Sequence, residues 1–199
     1  MSQIALHPLL RYSYHSVAGN TSPIVWDLRQ SPASFVRLAG TEGPIPLPYL
    51  TEFATAPPVP YLPIKCEVFP FPWPIEAKNP RGVTVLDVLQ TVYNVAQKPI
   101  KQHEWDSLSA KHRERVEFIF EQRWRSSQDP WRERSRGVIR ADCLLHSTSF
   151  AGFSMSLGRG FFAILTLSRN SRYPYSTPIQ RSLQLPPFPA WNNGVGFIQ

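Results

Sequence analysis

GVTVLDVLQTVYNVAQKPIKQHEWDSLSAKHRERVEFIFEQRWRSS, residues 82–127, holds the longest amphipathic pattern in the chain. Val85, Val88, Leu89, Val92, Val95 and Ala96 recur at the three-and-four spacing of one helical face. Thr84, with Asp87 three residues on, supplies a capping box, and Pro99 ends the helix. Ser109 caps a second helix whose inner face is His112, Val116, Ile119, Phe120 and Arg123, and Trp105 with Leu108 forms a short helical lead-in. Leu89, Val92, Trp105, Val116 and Phe120 are expected to be buried together. These residues build a core and carry no chemistry.

Toward the N-terminus, residues 61–69 alternate as a strand, with Leu62, Ile64, Cys66 and Val68 on one face and Lys65 and Glu67 on the other. The strand runs into Pro70, Pro72 and Pro74, which alternate with Phe69, Phe71, Trp73 and Ile75. In an extended chain alternate residues point their N–H groups to the same edge, so these prolines strip one edge of donors. An edge segment, or polyproline II lying against the domain, follows. Of the 21 prolines, 11 lie between Pro44 and Pro80, so residues 43–60 read as a connecting loop packed on the surface by Tyr49 and Phe53. PPVP and PYLP within residues 57–63 satisfy P-x-x-P but lack a basic anchor, which favours a packed connector over a groove ligand. Ile24, Trp26 and Leu28 alternate with Val25, Asp27 and Arg29 as a short strand, and Phe35 with Leu38 forms a second short piece.

Toward the C-terminus, Asp129 and Pro130 break the helical pattern and WRERSRG is basic and exposed. Residues 138–145 (VIRADCLL) fit a closing strand or a helical turn, and Phe150, Gly152 and Phe153 end the part that behaves as a packed domain.

At 199 residues, 42% hydrophobic with 6 Trp, 7 Tyr and 12 Phe, the chain is too apolar to be disordered throughout, and one core is expected. Two cysteines, Cys66 and Cys143, and an N-terminus without a long apolar run point to an intracellular location, cytoplasmic or nuclear. The apolar run at 161–167 is too short to span a bilayer as a helix, so no membrane is expected. The net charge of +7 is unevenly placed: four of the 21 basic residues and no acidic residue lie after Gly158, leaving 17 basic against 14 acidic in residues 1–157. The body is not strongly basic.

Several short patterns occur in a distinctive order: HPLL at 7–10, WDLR at 26–29, ATAPP at 54–58, WPI at 73–75, VTVLDVL at 83–89, EW at 104–105, GVIRADCLL at 137–145 and FAGFS at 150–154. Together they resemble a fungal family known as domain of unknown function six-six-nine-nine, over about residues 6–157. The resemblance implies a fungal origin and a domain boundary; the family has no established activity to carry over. Lys101 departs from the family's Ser or Thr cap before the Glu-Trp pair, and residues 158–199 extend beyond the pattern.

Seven His and Cys residues include no CxxC, HExxH or paired His on one helical turn, so neither a metal nor a cofactor is expected. The G-x-G at 158–160 lacks the strand, third glycine and helix of a phosphate loop. Asp142, Cys143 and His146 come closest to a nucleophile with a base, Cys143 and His146 being three apart, within an apolar run that favours a buried thiol. Between Arg123 and Arg140 six arginines stand against Asp129 and Glu133, with Trp124 and Trp131 interleaved. Guanidinium forks grip phosphate and indoles stack on bases, so Arg125, Trp131, Arg132, Arg134 and Arg136 are the candidate binding residues.

The expected architecture is α+β: a small, mostly antiparallel sheet packed against two to three helices in one domain over residues 5–157, with a proline-rich connector and a basic, acid-free, flexible tail over 158–199. The expected function is a non-catalytic intracellular protein-interaction module with an unidentified protein partner. The alternative is a weak nucleic-acid or phosphate binder through residues 123–140, and a third reading is an enzyme using Cys143 and His146.

Overall fold

The computed structural model describes residues 4–13, 22–156 and 161–170. In chain order the elements are β1 (Ala5–Leu6), β2 (Ile24–Val25), α1 (Pro32–Phe35), β3 (Arg37–Leu38), α2 (Leu47–Thr51), β4 (Thr55–Ala56), β5 (Tyr61–Cys66), β6 (Ile75–Lys78), α3 (Val85–Ala96), α4 (Gln102–Ser107), α5 (Ala110–Arg125), α6 (Pro130–Ser135), a 3-10 turn (Arg140–Leu144), β7 (Ser149–Ser156) and β8 (Phe162–Ser168). This is an α+β fold built on a small, mostly antiparallel sheet.

The helices start and stop where their local chemistry dictates. Thr84 Oγ1 accepts from the Asp87 N–H at 3.1 Å while Asp87 Oδ2 accepts from the Thr84 N–H at 2.9 Å, which satisfies two otherwise orphaned donors. The Asn79 side-chain amide adds a second bond to that carboxylate at 2.8 Å. All six apolar positions expected on the inner face of α3 are buried. Lys101 is a poor cap, and Glu104 compensates by accepting the Lys101 N–H at 2.8 Å. Ser109 caps α5 by accepting from the His112 N–H, and Val116, Ile119 and Phe120 are buried as expected. Leu89, Val92, Trp105, Val116 and Phe120 share one core.

The main sheet has the order β6-β5-β8-β7. β5 pairs antiparallel with β6 (Ile64 opposite Ile75) and parallel with β8 (Ile64 opposite Ala163), and β7 pairs antiparallel with β8 (Phe153 opposite Leu165). Leu62, Ile64, Ile75, Ala77, Phe153, Ala163 and Leu165 are all buried, and α3 packs on β6. Pro63 has no N–H to give, and the β5–β8 ladder begins just past it at Ile64. β6 is an edge strand, and the alternating prolines at 70–74 lie in the connection before it, outside the paired strand. Pro74 and Pro80 share the alternation phase of Glu76 and Lys78, so the edge is bounded by residues that cannot donate.

β7 is the other edge, and the N-terminal segments cover it. Tyr12 N–H donates to Phe153 O at 2.9 Å, Phe150 N–H to Trp26 O at 2.8 Å and Leu28 N–H to Thr148 O at 2.9 Å. A bulge between Phe150 and Gly152 accommodates this crossing. Gly152 has φ +123°, and a Cβ there would lie 2.6 Å from Tyr12 Cα. Only glycine suits both constraints.

Several expectations are corrected. Residues 162–168 form β8, inserted between β5 and β7, so the packed domain continues past 157. Asn170 reinforces this by donating its side-chain amide to Asp27 Oδ2 at 2.7 Å and its backbone N–H to His146 O at 2.8 Å. Residues 158–160 and 171–199 of the expected tail lie outside the described residues. The connector at 43–60 holds α2 and β4, and its buried anchors are Ile45, Leu50 and Ala54, while Tyr49 and Phe53 are exposed. The short piece expected at Phe35 and Leu38 divides into α1, which ends at an exposed Phe35, and β3, and Val68 turns outward where β5 ends at Cys66. Residues 140–144 resolve the open alternative at 138–145 in favour of a 3-10 turn.

Candidate functional site

The C-terminal end of α5 and the short α6 form a basic, aromatic corner. Asp129 caps α6 by accepting from the Arg132 N–H at 3.0 Å, and Pro130 occupies its first turn. No residue of α6 is buried. Trp131 is 80% exposed. The Arg132 guanidinium has no bonding partner among the described residues. Arg125 and Arg134 both approach the Trp124 ring, at 5.2 and 5.4 Å from its centroid, and Arg125 also lies 3.4 Å from Glu121.

The remaining arginines of the run are committed internally. Arg123 grips buried Asp142 through Nε and Nη2 at 2.9 Å each, donates to Gly137 O at 2.7 Å and pairs with Glu133. Arg136 pairs with Glu133 at 2.8 Å and donates to Gln97 Oε1 at 3.0 Å. Burial pushes the Glu133 carboxyl up, but the Arg136 and Arg123 guanidiniums outweigh it and hold it below the ordinary glutamate range. Arg140 is buried and lies over the Trp73 ring. Of the expected binding residues, Arg125, Trp131, Arg132 and Arg134 therefore stand together on the corner, and Arg136 serves mainly to tie α6 to α3.

These structural features fall within a recognised sequence family. The Family of unknown function (DUF6699) matches residues 24–160. The chain belongs to that family. The DUF6699 match contains every element from β2 to β7, and β8 lies beyond it. No curated protein and no solved structure matches the chain.

Cys143 sits in the 3-10 turn, 2% exposed. Burial, with Asp142 and Glu104 nearby, pushes its thiol up to about 12. Burial, with Arg115, Arg169 and Arg29, pushes the His146 imidazole down. Near neutral pH the thiol is protonated and the imidazole uncharged, the opposite of an activated thiolate pair. Among the described residues no three of His, Cys, Asp and Glu gather as metal ligands, and no helix is long and apolar enough to cross a membrane.

The sequence could suggest which arginines lie near one another but not which were already spent. Arg123 and Arg140 find Asp142 and Trp73, and neither pairing shows a local spacing signal.

Proposed function

We propose that this DUF6699 chain is a non-catalytic protein-interaction module that docks an acidic protein segment on the α5–α6 corner. The observation that carries this reading is Trp131, an indole 80% exposed on a helix with no buried residue. A tryptophan so placed contributes little to the core, whereas Trp and Arg are the residues most often dominant in binding interfaces. Arg132, without a partner among the described residues, and the Arg125 and Arg134 pair on Trp124 supply the matching positive charge. An intracellular setting agrees with the two free thiols, Cys66 and Cys143.

A second reading, a polyanion binder through the same corner, is favoured by the two guanidiniums, Arg125 and Arg134, close to the Trp124 ring, a grouping of charge and indole that suits phosphate and bases. The enzyme reading through Cys143 and His146 loses support from the protonated, buried thiol.

Fluorescence anisotropy with a labelled oligoglutamate and a single-stranded oligonucleotide of equal charge tests the choice. The interaction-module reading expects oligoglutamate to bind and Trp131→Ala and Arg132→Ala each to weaken it. Oligonucleotide binding alone, falling steeply with salt, would move the function to the polyanion reading. Failure of both probes would remove the corner as a docking surface.

A further inference from the structure

The FPFPWP run between β5 and β6 folds into an aromatic cluster. Phe69 meets Trp73 edge-on with ring centroids 5.0 Å apart, and Phe71 meets it at 5.5 Å. The Trp73 indole N–H donates to Glu104 Oε1 at 2.5 Å, and the Arg140 guanidinium lies over the same ring, 4.5 Å from its centroid. Arg140 is held in place from its backbone, where its N–H donates to Lys98 O at 2.9 Å.

Arg140 is only 9% exposed, and its buried Nε has no acceptor. Among the described residues no hydrogen bond engages the rest of its guanidinium, and Nε is the atom that is buried without a partner. A buried guanidinium carries a full charge and five N–H donors, so leaving it without an acceptor is costly, and an aromatic face offsets only part of that cost. Glu104 lies at the edge of the same indole and is bound there by Trp73 and the Lys101 N–H. It supplies opposite charge without taking any Arg140 donor.

We propose that Arg140, seated on Trp73, is a recognition site for a carboxylate. Its planar fork matches the two oxygens of that group. The Glu104 carboxyl, bound at the edge of the Trp73 indole, already stands beside the Arg140 charge, so an anion of one charge is better tolerated there than a dianionic phosphate. The site therefore selects a carboxylate over a dianionic phosphate, with Phe71 and Trp73 as its aromatic wall. This assignment uses none of the corner residues and stands or falls apart from them.

Nuclear magnetic resonance on the full chain tests it by following the Arg140 Nε–H and Trp73 indole N–H signals. Three carboxylates distinguish the source: propionate as a free acid, N-acetylglycylglycine as a chain end, and a capped Gly-Asp-Gly peptide as an acidic side chain. Inorganic phosphate is the fourth titrant. At least one carboxylate should move both signals saturably, and phosphate should bind about tenfold more weakly or less. Arg140→Lys, which keeps the charge but loses the fork, should abolish the saturation. Glu104→Gln should strengthen carboxylate binding and remove discrimination against phosphate, which keeps the proposal testable if Arg140→Lys fails to fold. An Arg140 guanidinium solvated by water alone predicts no movement with any carboxylate. That result, equal binding of phosphate to the parent chain, or no change in Glu104→Gln would overturn the proposal.

Discussion

Arg123 on α5 and Asp142 in the 3-10 turn face each other through two hydrogen bonds of 2.9 Å, and Asp142 is wholly buried. The pair joins the longest helix to the segment that leads into β7. Removing one partner leaves the other charge buried and alone, so Arg123→Ala should cost about 3 to 5 kcal/mol in urea unfolding. The double variant Arg123→Met with Asp142→Leu should recover most of that loss. A single variant within about 0.5 kcal/mol of the parent would show that the pair contributes little.

Glu133 pairs with both Arg123 and Arg136 and is a main tie of α6, a helix that buries no residue. Glu133→Gln should leave α5 amides protected from hydrogen exchange while those of α6 lose protection. The same attachment should respond to acid. The Glu133 pKa is lowered on folding, so its contribution is present above the ordinary glutamate pKa of about 4.3 and is lost as pH falls through the lower folded value. Protection of α6 that is unchanged in Glu133→Gln would contradict this account.

Two tryptophans should separate stability from binding. Trp73→Ala removes a buried ring with aromatic, indole and guanidinium contacts and should cost about 3 to 5 kcal/mol. Trp131→Ala should change the unfolding midpoint by less than about 0.5 kcal/mol in equivalent free energy. Comparable losses in both would mean that α6 packs more tightly than its exposure indicates.

The legible parts of the fold were those with a local period. α3 and α5 carry three-and-four spacing and caps, and Leu62 with Ile64 alternates in β5. β8 is hard to read because its half-buried positions, Phe162 and Ile164, are as apolar as its buried ones, Ala163 and Leu165, so FFAILTL shows no alternation in sequence. Its acid-free surroundings reinforced the reading as a tail. The arginine run was visible as composition, but its division into free and committed members depends on Asp142, Glu133, Gln97 and Trp73, which folding alone brings near.

Gly152→Ala should destabilise the protein by more than about 1 kcal/mol, because the added methyl meets the Tyr12 backbone and φ is positive. Gly40→Ala is a useful control, with positive φ but open space around its Cβ. A penalty no larger at Gly152 than at Gly40 would locate the cost in the dihedral and not in the close approach.

A chain ending at Ser156 should fail to unfold cooperatively, since it lacks the strand between β5 and β7. One ending at Asn170 retains every described element and serves as its comparison. Equal unfolding midpoints for the two would show β8 to be dispensable.

The parallel pairing of Ile64 with Ala163 also orders events during synthesis. The β5–β6 hairpin and all six helices leave the ribosome before β8 does, yet β7 has no strand to pair with in the main sheet until β8 arrives. The inner edge of β5 stands open for the same interval. Long-range parallel contacts form slowly because the intervening chain must be ordered first. Nascent chains paused before residue 162 are thus the form most exposed to pairing with a neighbouring chain, a hazard that falls away once β8 is seated.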